Sequence, residues 1–551
     1  MKSCALMGRL LDQPATVLAL VLAWKLALFV GTTQPVPGND SFFYDGAVVN
    51  FLNGGRYCNP TLAAAFPIAG HEVFAAYPPL YQAVLLAWMR LFGTSAVAAM
   101  ALHQVLFAVY ALAVFGGLRR LNVPARVINL ALLFLLVNTF HDRPDSLAHA
   151  LGMAAIWAWV RGRTGVANRR EAKSAGSLSP ESPLRHEPET NRARATSRGW
   201  DWLAAALVVL TLATSLQLGL VYLGCVGLMA LGNAALRGER IAWGPLVLMI
   251  MLPLALVAVV RFGAPHWWAG FLEHVRETPS YTGFRVPSPT EILKACRTVP
   301  AMGVIALALV WFAWKRREAF WSAVRVPAGI VGAGALAGVG VIVVCGLTFL
   351  TPNLILAAGY LQPLVVGIFL GLFGAAWWPA AWRRAVGPVF VALALVSSVR
   401  ALGMSTWGVA CAADVSYGRA LERVRQTLAE TPAGETVAVS AAYLYEAVRH
   451  RHVRVVHSDW LAAPSRRLSR ADAVVAARPA RMILTAFDRY RFYGEALPEL
   501  QSRTNVVELR FTNAGRVPVP DASPRLQRVL QHIAWAPVIV DLEWKRETNR
   551  R

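Results

Sequence analysis

Apolar residues recur along this chain in runs of about twenty, separated by short polar stretches dominated by arginine and lysine. A bilayer hydrocarbon core of about 30 Å takes about 20 apolar helical residues to cross, so runs of that size predict membrane spans. Eleven qualify: 14–32, 96–117, 125–141, 145–161, 201–217, 219–236, 243–262, 299–315, 326–350, 353–376 and 386–404. The nearly continuous stretch 201–236 is divided at Gln217 and Gly219. The first run is long and no small-x-small site follows it closely, which argues against a cleavable signal peptide. Two segments break the pattern. Residues 162–199 are rich in Ser, Pro, Glu and Arg with no apolar period, which predicts a disordered insert. From about residue 405, β-rich runs at 436–440, 453–457, 482–485, 506–511 and 538–542 alternate with helical patterns such as 416–430. That alternation predicts a small α/β domain over 405–551, large enough to bury its own core. The expected fold is a polytopic α-helical membrane domain, 1–404, with about 11 transmembrane helices, followed by that C-terminal α/β domain.

Charge then gives the spans a direction. The 551 residues are 56% hydrophobic and 15% charged, with 54 Lys plus Arg against 31 Asp plus Glu. Soluble globular chains carry roughly 25% charged residues, so that class fits poorly. The basic residues punctuate apolar runs instead of forming a patch interleaved with aromatics, so no nucleic-acid partner is expected. They concentrate in alternate loops: Arg119, Arg120 and Arg126; Arg161, Arg163, Arg169 and Arg170; Arg237 and Arg240; Lys315, Arg316 and Arg317; Arg383 and Arg384. The positive-inside rule turns these loops, the insert and the N-terminus toward the cytoplasm of a plasma (inner) membrane. The loops 33–95, 141–145 and 263–298 and the C-terminal domain then lie outside. The tail from 405 holds 22 Lys plus Arg and 15 Asp plus Glu, a basic surface suited to membrane lipids or acceptor, or simply to water. Six cysteines without a CxxC pair support neither a zinc site nor a disulfide framework.

The outer loops hold the chemistry. Asp40-Ser41-Phe42-Phe43-Tyr44-Asp45-Gly46-Ala47 follows the first span, with Gly54-Gly55-Arg56-Tyr57 and Ala76-Tyr77-Pro78-Pro79-Leu80-Tyr81 beyond it. A carboxylate at a membrane boundary serves as a general base when burial raises its pKa and a hydroxyl lies within reach. Equally, Asp40 could cap a helix starting at Ser41 and Asp45 could sit on a solvated face. A second acidic group, His141-Asp142-Arg143-Pro144-Asp145-Ser146, lies between spans three and four, on the same side. Arg143 offers a planar fork to phosphate oxygens, or else neutralises Asp142 or Asp145 in a tight turn. Lys25, inside the first span, requires a buried partner or a cavity. His450, His452 and His457 lie among arginines, which suits a solvated basic turn and strand better than a metal site.

The order Asp40-x-x-x-Tyr44-x-x-Ala47, Gly-Gly-Arg-Tyr, Tyr77-Pro78-Pro79-Leu80-Tyr81 and Leu91-Phe92-Gly93 resembles the first outer loop of the C-type (GT-C) membrane glycosyltransferases. Aminoarabinose transferases and protein O-mannosyltransferases, which use polyprenyl-phosphate-linked sugars, belong to that superfamily. The resemblance implies a GT-C-like membrane domain in which Asp40 is the catalytic base and 79–92 is a helix along the outer surface. Asp145 resembles the acidic residue at the start of the fourth span. It is assigned a catalytic role beside Asp40, with Arg143, Arg56, Tyr44, Asp45 and Tyr77 at the substrate. Gly359-Tyr360-Leu361-Gln362-Pro363 resembles a late Arg-Tyr-x-x-Pro segment, but Gly359 replaces the basic residue, so no phosphate contact is assigned there. Residues 265–285 bring aromatics and arginines that suit either the carrier head group or an interfacial belt. The implied reaction is inverting transfer of a sugar from a polyprenyl-phosphate donor to a lipid, glycan or protein acceptor. Asp40, Asp45 and Asp145 could hold a divalent cation, but the family includes metal-independent members, so none is assigned. The rivals are a transporter or flippase of lipid-linked sugars and a non-catalytic membrane partner. Transporters place ionisable residues near the midplane and often show an internal repeat, neither of which is evident here.

Overall fold

The computed structural model describes residues 13–32, 40–125, 143–175, 187–277, 417–485, 492–503, 506–513 and 537–545, with a few single positions between them. Apolar runs fold as helices because each backbone polar group then finds its partner within the segment. In chain order these are α1 (Pro14–Thr32), α2 (Ser41–Leu52), α3 (Leu80–Phe92), α4 (Ala96–Arg120), α5 (Asp145–Ala175), α6 (Glu187–Leu212), α7 (Leu216–Arg237), α8 (Trp243–Gly263) and α9 (Pro265–Glu277). The C-terminal segment adds α10 (Tyr417–Ala429), β1 (Thr436–Val439), β2 (Arg454–His457), α11 (Arg470–Ala477), β3 (Arg481–Thr485), β4 (Val506–Asn513) and β5 (Pro537–Trp544). Among the described residues α4, α7 and α8 are long and apolar enough to cross a membrane. The expected spans at 299–315, 326–350, 353–376 and 386–404, and most of 125–141, lie outside the described residues. Helix α3 has 13 residues, about 20 Å at 1.5 Å each, too short to cross a hydrocarbon core.

Two boundaries differ from expectation. Residues 162–175 and 187–199 are helical, as extensions of α5 and α6, where composition predicts no regular structure. Ala, Arg, Glu and Lys are strong helix formers, and they outweigh the missing apolar period; the Ser/Pro-rich centre, 176–186, is outside the described residues. The break in 201–236 falls at 213–215, not at Gln217 and Gly219. Thr211 and Thr214 turn their hydroxyls back onto the Leu207 and Leu210 carbonyls at 2.7 and 2.9 Å, and Ser215 is extended. Such back-bonding competes with the helix ladder. Gly219 serves close approach instead: a Cβ there would lie 2.5 Å from Leu212 Cα.

The chain divides into two compact units. The first comprises residues 1–25, 105–259 and 280–398. There Lys25 finds its partner in the Phe107 ring, 5.2 Å from the centroid, a cation–π contact that offsets part of its desolvation. Arg163 grips both Asp201 oxygens at 2.9 and 3.0 Å and Glu239 at 3.2 Å, joining α5, α6 and the turn after α7 by charge-assisted bonds. Helix α8 leaves Leu254, Val257 and Val259 exposed, as a hydrocarbon surround favours.

The second unit comprises residues 26–104, 260–279 and 399–551. Its sheet has the order β2-β1-β3-β5-β4, with β2, β1 and β3 mutually parallel and β5 antiparallel to both β3 and β4. Each strand lies on one of the β-rich runs seen in sequence, within about two residues of its expected ends. Ala438, Met482, Leu484, Val538 and Val540 form the core beneath it. Ser469 starts α11 by accepting the Asp472 N–H at 3.1 Å. The three parallel strands end along one edge, where ligands of open α/β sheets bind.

Packing of the first unit is testable at two glycines. A Cβ on Gly152 would lie 2.3 Å from the Tyr222 ring, whose hydroxyl meets His149 Nδ1 at 3.0 Å, whereas Gly117 has open space around it. Gly152→Ala is expected to destabilise by about 1–3 kcal/mol, the cost of overpacking. Gly117→Ala, in α4, is expected to be neutral or to stabilise by up to about 1 kcal/mol. Thermal unfolding of the purified protein in detergent reads both, and equal midpoints for the two variants would contradict the packing.

Candidate functional site

Asp40 immediately precedes α2, whose first turn is clamped from outside. Asn59 donates its side-chain amide to the Phe42 and Phe43 carbonyls at 2.9 and 3.3 Å, and Thr61 donates to Asn59 Oδ1 at 2.7 Å. A Cβ on Gly46 would lie 2.3 Å from that amide, so the approach needs glycine. Phe43 packs against Phe66, Phe74 and Trp460 at centroid distances of 5.5, 5.7 and 5.6 Å. Helix α9 braces the same segment, where sequence left residues 265–285 as a loop. Glu273 accepts the Ile68 and Ala69 N–H groups at 2.9 and 3.0 Å, and Trp267 stacks on Tyr57 at 5.8 Å. Burial pushes His274 down to about 4, so its imidazole is neutral among Phe43, Phe66 and Tyr77.

Helix α2 does begin at Ser41, yet Asp40 makes no side-chain cap hydrogen bond to it. Its carboxylate is not spent on capping. Asp45 is fully buried, not on a solvated face. It accepts the Tyr81 hydroxyl at 3.0 Å and the Tyr445 hydroxyl, and Tyr81 also meets His103 Nε2 at 3.3 Å. A buried carboxylate needs such donors to be tolerated. Tyr44 is buried edge-on against Tyr77, 4.9 Å between centroids, and Arg56 is exposed. These five expected residues lie in one unit; Arg143 and Asp145 lie in the other. Asp145 opens α5, where a carboxylate is favoured by the helix dipole, and Ser146 Oγ donates to the Arg143 carbonyl at 2.9 Å to close the turn.

Asp40 lines a cavity of about 400 Å³ whose other walls come from the C-terminal segment: Asp459, Trp460, Leu468, Arg470 and Phe492. The turn after β2 presents Asp459. His457 is fully buried, contrary to a solvated strand, and its Nδ1 accepts the Asp459 N–H at 3.1 Å. Arg470 donates to the Asp459 carbonyl and Oδ1 at 3.2 and 3.4 Å while lying over Phe492 and Tyr493 at 5.3 and 5.7 Å. Desolvation, opposed by Arg470 and reinforced by Asp40, pushes the Asp459 carboxyl up to about 6. Asp488, beyond β3, is likewise pushed up to about 6 by burial and by Asp459, although Ser440 and Thr485 donate to it. This end of the sheet thus sets two carboxyls of raised pKa, one of them, Asp459, on the cavity wall with Asp40. Sequence reasoning missed Asp459, Trp460, Arg470 and Asp488. Their signal was positional: Ser458-Asp459-Trp460 directly follows an expected strand of an α/β sheet. Among the described residues no group of three or more His, Cys, Asp or Glu side chains is arranged to hold a metal ion.

No family model matches the chain, and no curated protein is similar to it in sequence. Solved structures are similar to it. ArnT from Cupriavidus metallidurans bound to undecaprenyl phosphate aligns over 95% of this chain and 97% of its own at 16% identity, with a TM-score of 0.49. The Archaeoglobus fulgidus oligosaccharyltransferase tethered to an acceptor peptide aligns over 90% and 72% at 10% identity, with a TM-score of 0.45. The same archaeal enzyme, AglB, in complex with an inhibitory peptide and a dolichol-phosphate aligns over 97% and 75% at 10% identity, with a TM-score of 0.42. At such scores the likeness alone carries no function to this chain.

The raised carboxyls give a pH test. The folded chain keeps protons on Asp459 and Asp488 that an unfolded chain releases near pH 4. Their contribution to stability is therefore complete below pH about 4 and is lost as pH rises through about 6. Asp488→Asn removes one such proton. Between pH 4 and 7 its unfolding free energy, read by thermal unfolding, should fall less steeply than that of wild type, by up to about 1.4 kcal/mol per pH unit for one proton. Parallel wild-type and variant profiles would rule out the raised carboxyl.

Proposed function

We propose that the chain is an inverting glycosyltransferase that moves a sugar from a polyprenyl-phosphate donor to an acceptor hydroxyl on the outer face of a cytoplasmic membrane. The observation that carries this is Asp40: a carboxylate at the start of α2, making no helix cap, on the wall of a cavity of about 400 Å³. It matches by residue the acidic position of the GT-C first-loop pattern quoted above. Asp40 takes the acceptor proton as the hydroxyl oxygen attacks the anomeric carbon, and the bond from that carbon to the lipid phosphate breaks. The carrier leaves as polyprenyl phosphate. Negative charge on the departing oxygens needs cations, and Arg143, with Arg56 as a second cation, is assigned to them. Asp145 orients the acceptor or holds Arg143. Tyr44, Tyr77 and Asp45 position the segment that bears Asp40: Asp45 through its two tyrosine hydroxyls, Tyr44 and Tyr77 through their ring contact. The acidic and basic loops divide as an outward-facing site requires, since lipid-linked donors are presented on that side.

Asp40→Asn should lower transfer at least about 100-fold, the scale of a lost general base, with the amount of protein in the membrane unchanged. Near-normal transfer by this variant would remove the assignment. Arg143→Ala should weaken donor binding in a titration of purified protein with polyprenyl-phosphate sugar; an unaltered dissociation constant would leave Arg143 as a turn residue.

A further inference from the structure

We propose that the cavity beside Asp40 is an acceptor subsite that takes the hydroxylated ring of a sugar, held by Asp459 and Trp460 of the C-terminal segment. This rests on the transferase assignment and narrows its acceptor to a carbohydrate head group. Charge excludes the other substrate from this space: its walls carry two carboxylates, Asp40 and Asp459, and one guanidinium, Arg470, already engaged by Asp459. A lipid phosphate would meet acidic side chains there, and a guanidinium that Asp459 already engages. A neutral sugar meets no such repulsion. Its hydroxyls donate to carboxylates, and the C–H face of its ring needs a flat apolar wall, which an aromatic side chain provides.

Both elements are present. Asp459 is fixed by His457 and Arg470, and Trp460 is held against Phe66 at 5.2 Å and Phe43 at 5.6 Å, so neither needs to be ordered on binding. Leu468 and Phe492 complete an apolar lining. The volume of about 400 Å³ falls within the ~300–1,000 Å³ of small-ligand pockets. Its place at the carboxyl end of parallel β2 is where open α/β sheets take ligands.

The test is saturation-transfer NMR on the full-length protein in detergent. The probes are the methyl glycosides of glucose, galactose, mannose and N-acetylglucosamine, with N-acetylserine amide as the peptide-type alternative. At least one glycoside should bind wild type. Its dissociation constant should rise about tenfold in Asp459→Asn and in Trp460→Ala, the scale of one hydrogen bond to a charged group. Trp460→Phe retains an aromatic wall and should keep most of the binding, which separates loss of the wall from loss of the fold. Binding of no glycoside to folded wild type, undiminished binding by Trp460→Ala, or displacement by the serine amide would overturn the proposal. Glycoside binding by a wild type that transfers no sugar would sink the transferase assignment and leave the sugar site standing. Transfer without glycoside binding would sink the subsite alone.

Discussion

A carboxylate with no exposed surface must find donors, and the donors of Asp45 come from opposite ends of the sequence. Tyr81 belongs to α3, and Tyr445 lies 400 residues beyond Asp45, after β1. Leaving a buried carboxyl without partners is far costlier than ordering two hydroxyls, so this contact ties the segment that bears Asp40 to the C-terminal segment. Asn59, Gly46 and Glu273 then set how α2 can lie, and Trp460 fills the space beside Phe43. The cavity at Asp40 follows from that join. One wall is the start of α2 and the other is the edge where parallel strands end.

The same join changes the place of the C-terminal segment in the account. Its sequence suggested location and little chemistry. In the structure it shares a compact unit with residues 26–104 and 260–279, and it supplies Asp459, Arg470 and Phe492 to the cavity. Burial raises two of its carboxyls, Asp459 and Asp488, to about 6, and Asp459 lies on the cavity wall with Asp40.

What was legible in sequence was whatever local periodicity controls. All five strands follow from apolar alternation, and α2 begins at Ser41 and α3 occupies 80–92 where the sequence placed helices. The break at 213–215 was misplaced because the competing bonds of Thr211 and Thr214 leave no mark on hydropathy, and Gly219 looks like a breaker when it is a contact. Asp40 drew notice in sequence by its place a few residues after the first apolar run. Asp459 and Arg470 were not, since what makes them notable is burial and proximity to a residue more than 400 positions away. Asp45 was noticed for its charge, but its two tyrosine partners could not be paired from spacing. Histidine 457 shows the converse: its arginine neighbours implied solvent, while the inward face of β2 buries it.

The central claim is that this chain breaks a sugar–phosphate bond rather than carrying a lipid-linked sugar across the membrane. Purified full-length protein, reconstituted in vesicles with a radiolabelled polyprenyl-phosphate sugar, tests it directly by the release of free polyprenyl phosphate when acceptor is added. The account predicts stoichiometric release, with label appearing on the acceptor in inverted anomeric configuration. Label that stays on the carrier while moving from one leaflet to the other would contradict it.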